Sequence, residues 1–224
     1  MREKNLIADA SLAEEVADIL RDRIINGEYV MGAKLIENKV AKELRVSRTP
    51  VRDAFRQLAK EQLVEYVPNK GCFAKGFSRK DMSDIYAVRK AVEQLAATWA
   101  VENADDNKIK ALGEHLELMG FYTQQNLYDK LLQANEDFHN MIYHMTGSRF
   151  LVQILRSYQD YVHVARKNTL KKEEDLSEIY KEHEGIFNAI KSRDIDAAVK
   201  RVGDHLDASN RRSEERWIEK TLDR

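Results

Sequence analysis

Several things are scarce in this chain, and each scarcity excludes a class. A single cysteine, Cys72, rules out an internal disulfide framework and suits a reducing compartment. Only two prolines and nine glycines interrupt 224 residues, which points to a mostly helical chain with short connections. No apolar run approaches the roughly 18 residues that a membrane span needs. The N-terminal stretch MREKNLIADA lacks the apolar core of an export signal, so the expectation is a cytoplasmic protein without a membrane partner. Net charge is close to absent too, at −1. That balance excludes general polyanion binding, and any affinity for nucleic acid has to come from a local patch.

Such a patch lies between Lys34 and Gly71. Ile36, Val40 and Leu44 recur at four-residue steps, the spacing of one apolar helical face. Val46 and Ser47 break the pattern, and Ser47 is placed to N-cap a second helix. Pro50 falls in that helix's first turn, where a missing N–H is tolerated. Val51, Phe55 and Leu58 form its apolar stripe, while Arg48, Thr49, Arg52 and Arg56 lie off it. A short alternating piece from Leu63 to Val67, a turn at Pro68-Asn69-Lys70-Gly71 and a second strand from Cys72 to Lys75 complete a hairpin, with Gly71 supplying positive φ. Helix, tight turn, helix and hairpin is the order of a winged helix-turn-helix. From Lys34 to Lys60 eight Lys/Arg stand against three Asp/Glu, an excess of five positive charges that suits a phosphate-facing surface. Upstream, apolar positions 12, 16, 19, 20 and 24 predict a first helix over Leu12–Ile25 that stops at Asn26-Gly27. Residues 1–10 read as a loose arm, and Tyr29 to Lys34 as a connector.

The stretch LIENKVAKELRVSRTPVRDAFRQLAKEQLVEYVPNKGCFA resembles the N-terminal reader of the GntR family of bacterial transcription regulators. One departure is Gln62, where the family usually has glycine. The resemblance implies that Arg48 and Arg52 reach guanine edges or nearby phosphates. It further implies that Ser47, Thr49 and Lys70 contact the DNA backbone, and that Gly71 lets the wing approach the minor groove. Asn38 stands where some relatives place a DNA-contacting arginine.

Ser78 and Asp81 have capping-box spacing, and Phe77 with Met82 has staple spacing, so a new helix starts there. It runs through Ile85, Val88, Arg89, Val92, Leu95 and Trp99. Further helices are predicted over about 106–125, 127–146, 148–169, 173–192 and 194–219, with no strand-like alternation after residue 76. The fold class is therefore mainly α, a winged helix-turn-helix domain over 1–76 followed by an all-α antiparallel helical bundle over 77–224.

The chain has six histidines, and taken singly each reads as a surface or core residue. Asn135 and His139, however, share a helix face at a four-residue step. With His183 and His205 on two later helices, three imidazoles can converge inside a bundle and suit a divalent transition metal. NEDFHNMIYHMTGSRFLVQIL with EHEGIFNAIKSRDIDAAVKRVGDHL is similar to the FCD effector domain, the usual partner of this reader in the FadR branch. That resemblance implies metal ligands at Asn135, His139, His183 and His205, the first standing where the family has Asp. Zn, Ni and Mn are the ions to consider. It also implies a small carboxylate or sugar-acid effector gripped by Arg89, with His163 and Arg166 as further lining. The domain's role is then effector binding and dimerisation, and the partners are a double-stranded DNA operator and a second copy of the chain. Two other readings compete. A regulator without metal or effector needs only the reader and a dimer interface. An enzyme would build on Glu136 and His139, an E-x-x-H pair, but a di-iron bundle needs a second pair and further carboxylates, and no second copy occurs.

Overall fold

The computed structural model describes residues 2–76, 78–156, 158 and 173–222, with side chains described over 12–76, 78–156, 158 and 176–215. It divides into two compact units, Met1–Ser78 and Arg79–Arg224.

The first unit begins with α1 (Arg2–Ile25). The loose arm expected over residues 1–10 is helical from Arg2 onward, and the Ala, Leu and Glu of NLIADASLAEE account for it through their helix propensity. Gly27, at φ 74°, ends the helix as expected. Two short helices follow, α2 (Glu37–Leu44) and α3 (Arg48–Lys60). Arg45 sits between them in the left-handed region at φ 56° and ψ 40°, which makes the turn tight. Ser47 occupies the N-cap position of α3, yet its side chain accepts no capping bond. The reason is Pro50, which stands at the third helical position and has no N–H to donate. Val51, Phe55 and Leu58 are buried with Leu20 of α1, so the stripe read from spacing is the face α3 packs on α1. Arg21 of α1 fixes the end of α3 through two 2.8 Å bonds to the Glu61 carboxylate.

The wing is β2 (Val64–Val67) and β3 (Gly71–Ala74), antiparallel with Val64 opposite Ala74. Sequence reading missed a third strand, β1 (Lys34–Leu35), which pairs with β3 and gives the order β1-β3-β2. Two residues are too few for any alternation to be visible. Cys72 points into this unit's core, where burial pushes its thiol up to about 11.

Helices are the regular structure of the second unit's described residues, joined by short turns. It comprises α4 (Arg79–Asn103), α5 (Asp106–Gln124), α6 (Tyr128–Met145), α7 described over 149–156, α8 (Glu173–Lys191) and α9 (Ile195–Leu222). Ser78 directly precedes α4, while Phe77 of the expected staple lies outside the described residues. Asp105 caps α5 by accepting a 2.9 Å bond from the Lys108 amide. Helix α4 packs on α6 and α9, and α8 packs on α5 and α9. Phe138, Leu112, Met119, Ile186 and Ile190 fill the space between them. This packing carries three histidine-bearing helices, α6, α8 and α9, around one interior.

Candidate nucleic-acid interface and metal centre

On the reader unit, Asn38, Ser47, Arg48, Thr49, Arg52, Lys70 and Gly71 are all exposed, the first in α2, the next four at the start of α3 and the last two on the wing turn. Gly71 has φ 107°, a conformation that side-chain-bearing residues resist, as its place in the hairpin requires. Glu37 gathers the two arginines. Its carboxylate accepts from Arg48 Nη2 at 3.0 Å and from Arg52 Nε and Nη2 at 3.1 and 3.0 Å. The bond from Arg52 is the main reason its carboxyl falls to about 2; partial burial opposes that shift and Arg48 adds to it. Sequence reading counted Glu37 only as a charge, although its position opening α2 marks it as a neighbour of α3's first turn.

On the effector unit three of the four residues predicted as ligands lie together. His139, His183 and His205 are buried, and their candidate ligand atoms all lie within 4.8 Å of one another. Ring centroids are 5.2 Å apart for His139 and His183, 5.1 Å for His139 and His205, and 4.6 Å for His183 and His205. Each ring has its Nδ1 engaged by a different group. His139 Nδ1 lies 3.3 Å from Glu93 Oε2, His183 Nδ1 is 2.7 Å from the Ile179 carbonyl oxygen, and His205 Nδ1 is 2.7 Å from Glu182 Oε2. Such outer bonds fix tautomer and ring orientation, leaving Nε2 as the nitrogen each ring can present to a shared ion. Imidazole nitrogens bond a transition ion at about 2.0–2.1 Å, so the three rings would have to draw inward to share one. The donor set fits a borderline divalent ion such as Zn or Ni. Asn135, one turn before His139 on the same helix, is buried as well.

Arg89 is buried in α4, away from solvent. Its Nε donates to Glu93 Oε1 at 2.8 Å, its guanidinium lies 5.4 Å from the Tyr86 ring, and its Nη1 is buried without a hydrogen-bond partner among the described residues. Tyr86 in turn bonds Ser209 at 3.0 Å. Glu182 is held by His205 and by both terminal nitrogens of Arg212, at 2.8 and 2.9 Å. Burial pushes its carboxyl up, yet those bonds bring it down to about 2. Sequence reading did not find Glu93 or the role of Glu182. The four-residue step from Arg89 to Glu93 was a signal for the first; the second serves His205 on another helix, which no local spacing reveals. The remaining described histidines lie elsewhere in their bonding, His115 on the Ala134 carbonyl and His144 on Arg156. His163 and Arg166 lie outside the described residues.

Comparison with known proteins decides the family. Residues 84–208 match the FCD domain and residues 12–74 match the bacterial regulatory proteins of the gntR family. The chain belongs to the GntR family, with an FCD domain. Among relatives, a gluconate operon transcriptional repressor of Bacillus licheniformis is 28% identical over 221 residues, covering 96% of this chain and 90% of the repressor. The gluconate operon transcriptional repressor of Bacillus subtilis (strain 168) is 27% identical with the same coverage. Among solved structures, E. coli McbR/YncC superposes with a TM-score of 0.68 at 21% identity, over 88% of this chain and 94% of that one, which establishes a shared fold. GntR proteins are transcription regulators rather than enzymes, so Glu136 and His139 are not the core of a di-iron catalyst. Among the described residues, no helix is long and apolar enough to cross a membrane.

Proposed function

We propose that this GntR regulator is a cytoplasmic, homodimeric repressor whose helical unit binds a divalent transition metal and a small carboxylate or sugar-acid effector. The reading surface is the exposed start of α3 with Asn38 and the wing residues Lys70 and Gly71. Arg48 and Arg52 read bases or grip phosphates. The metal ligands are Asn135, His139, His183 and His205, and the ion is Zn, Ni or Mn. Arg89 meets the effector's carboxylate, because a buried guanidinium with one nitrogen unpartnered among the described residues suits an oxyanion. Repression and the sugar-acid class follow the naming of the two gluconate operon repressors. Dimerisation is supported by a stripe on α4 with steps of four, three and four, Val88, Val92, Leu95 and Trp99. Val88 and Leu95 are exposed, and Phe150 and Ile154 on α7 extend the apolar surface. Two-fold pairing presents two copies of α3 to a palindromic site. Effector binding then biases the dimer between two arrangements, with a coupling of about 1–3 kcal/mol between effector and operator.

The observation that carries this reading is the buried triangle of His139, His183 and His205, each ring pinned at Nδ1. Elemental analysis of the tag-free protein, with thermal melts in Zn, Ni and Mn, tests it. One equivalent of metal and a rise in melting temperature are expected in the native chain and neither in His183→Ala. A native chain that carries no metal and gains no stability from any of the three ions would sink the metal reading. Operator affinity measured with and without gluconate tests the effector reading, and affinity unmoved by gluconate and by other sugar acids would sink it.

A further inference from the structure

Glu93 stands between the two halves of the effector site. Its Oε1 accepts from Arg89 one turn earlier on α4, at 2.8 Å from Nε, and its Oε2 faces His139 Nδ1 on α6 at 3.3 Å. All three side chains are buried, at 4% exposure or less, so the contacts are not diluted by water. One carboxylate is thus shared by the residue placed to meet an anion and a residue placed to meet a cation.

We infer that Glu93 is the coupling residue of the effector site, making anion binding at Arg89 and metal binding at His139 mutually favourable; this rests on the proposed metal and effector roles of those two residues. The physical argument is competition for a single negative charge. A cation on the far side of the His139 ring makes its Nδ1–H a stronger donor, which draws Glu93 toward His139. Arg89 then loses part of its internal counter-ion in a low-dielectric surrounding and gains affinity for an external carboxylate. The reverse holds by linkage, since a carboxylate on Arg89 lets Glu93 serve His139 more fully and strengthens that ring as a ligand. Glu93 acts through its neighbours and is a positioning residue, without contact to either ligand. A site lacking it would bind ion and anion independently, unless the anion touched the ion directly.

The test is a two-ligand cycle with Co2+ and acetate, a carboxylate too weak a chelator to strip the ion. Co2+ affinity is read from visible absorption and calorimetry, with and without excess acetate, in the native chain, Glu93→Gln and Glu93→Asp. The native chain is expected to gain about 5-fold or more in Co2+ affinity from acetate. In Glu93→Gln that gain disappears while Co2+ still binds. Glu93→Asp keeps the buried charge balance, so it guards against a variant that fails to fold, and its shorter side chain cannot span both partners, so its gain disappears too. A gain preserved in folded variants overturns the assignment and points to direct anion–metal contact. A native chain that binds Co2+ without any acetate effect overturns it as well. A native chain that never binds Co2+ brings down the metal reading itself, and this assignment with it, a result distinguishable from the other two.

Discussion

Arg52 rests on both oxygens of Glu37 through Nε and Nη2, at 3.1 and 3.0 Å. Arg48 shares the same carboxylate, so two arginines of the proposed reading surface are held in one fork. The excess positive charge of α3 is thereby aimed, at the expense of one neutralised charge.

Replacing Arg52 with alanine is expected to weaken binding to a specific operator by about 10-fold or more, since a bidentate base contact is worth roughly 1–3 kcal/mol of discrimination. The residue is half-exposed but makes the main bond to Glu37, so the variant should stay folded and melt slightly lower, by no more than Glu37→Gln does. Glu37→Gln should have a different signature, with higher affinity for unrelated DNA and a narrower gap between specific and unrelated sites. Fluorescence anisotropy on both DNAs across a salt series measures these effects. An Arg52→Ala variant with undiminished specific affinity would remove that residue from the reading surface.

The same fork sets an acid limit on the reader. Glu37 has a folded carboxyl near 2, below the ordinary 4.5, so its contribution is complete above about pH 4.5 and fades as pH falls toward 2. The native chain is therefore expected to lose stability to Glu37→Gln at neutral pH, and the two should converge as pH drops from about 5 to 3. Urea titrations at four or five pH values provide the check, and parallel curves would show that the fork stabilises nothing.

Asn135 offers a test in the opposite direction, toward tighter binding. It lies one turn from His139, where a carboxylate would add a charged oxygen to a set of neutral imidazoles. Asn135→Asp should raise metal affinity by about 10-fold or more. The metal-free variant should be less stable than the native chain, because it buries an additional charge. Competition titration with a chromophoric chelator and melts in chelator follow the two effects. Equal affinities would place residue 135 outside the ligand set.

Gln62 adopts the left-handed conformation at φ 62°, between α3 and β2. Holding a side chain there costs roughly 1 kcal/mol, partly offset by the flexibility glycine would add to the unfolded chain. The bonds it makes, to the Ala59 carbonyl at 3.3 Å and from Lys75 at 2.9 Å, are exposed and weak. Gln62→Gly should therefore stabilise the protein by about 0.5 kcal/mol, and Gln62→Val should destabilise it by more than that. Equilibrium unfolding in urea measures both.

That position also illustrates what could be read from sequence. Gln62 stood out against the family pattern, and the departure marks a backbone geometry, since the turn keeps its shape and the side chain absorbs the strain. The α2–turn–α3 order and the stripe of Val51, Phe55 and Leu58 were legible because helical spacing is a local property. The meeting of His139, His183 and His205 was only a possibility from their helical placement, and the family likeness supported it, because separations of 44 and 22 residues carry no local signal of contact. Glu93 and Glu182 were hidden for a related reason. Each is an ordinary acidic residue in a helix, and its importance comes from an imidazole on a different helix. Strand β1 was too short to carry a period, and the helical start of α1 was obscured by its charged first residues.

The three imidazoles are each anchored at Nδ1 by a different group, two carboxylates and a main-chain oxygen. An ion bound there as proposed would find tautomers and ring tilts already chosen, so its capture would need no search through alternative proton placements. The pace of loading should be governed by how quickly an ion and its shed waters can pass between α6, α8 and α9. Exchange of one ion for another would then be a matter of passage as well, with the rings standing ready for either.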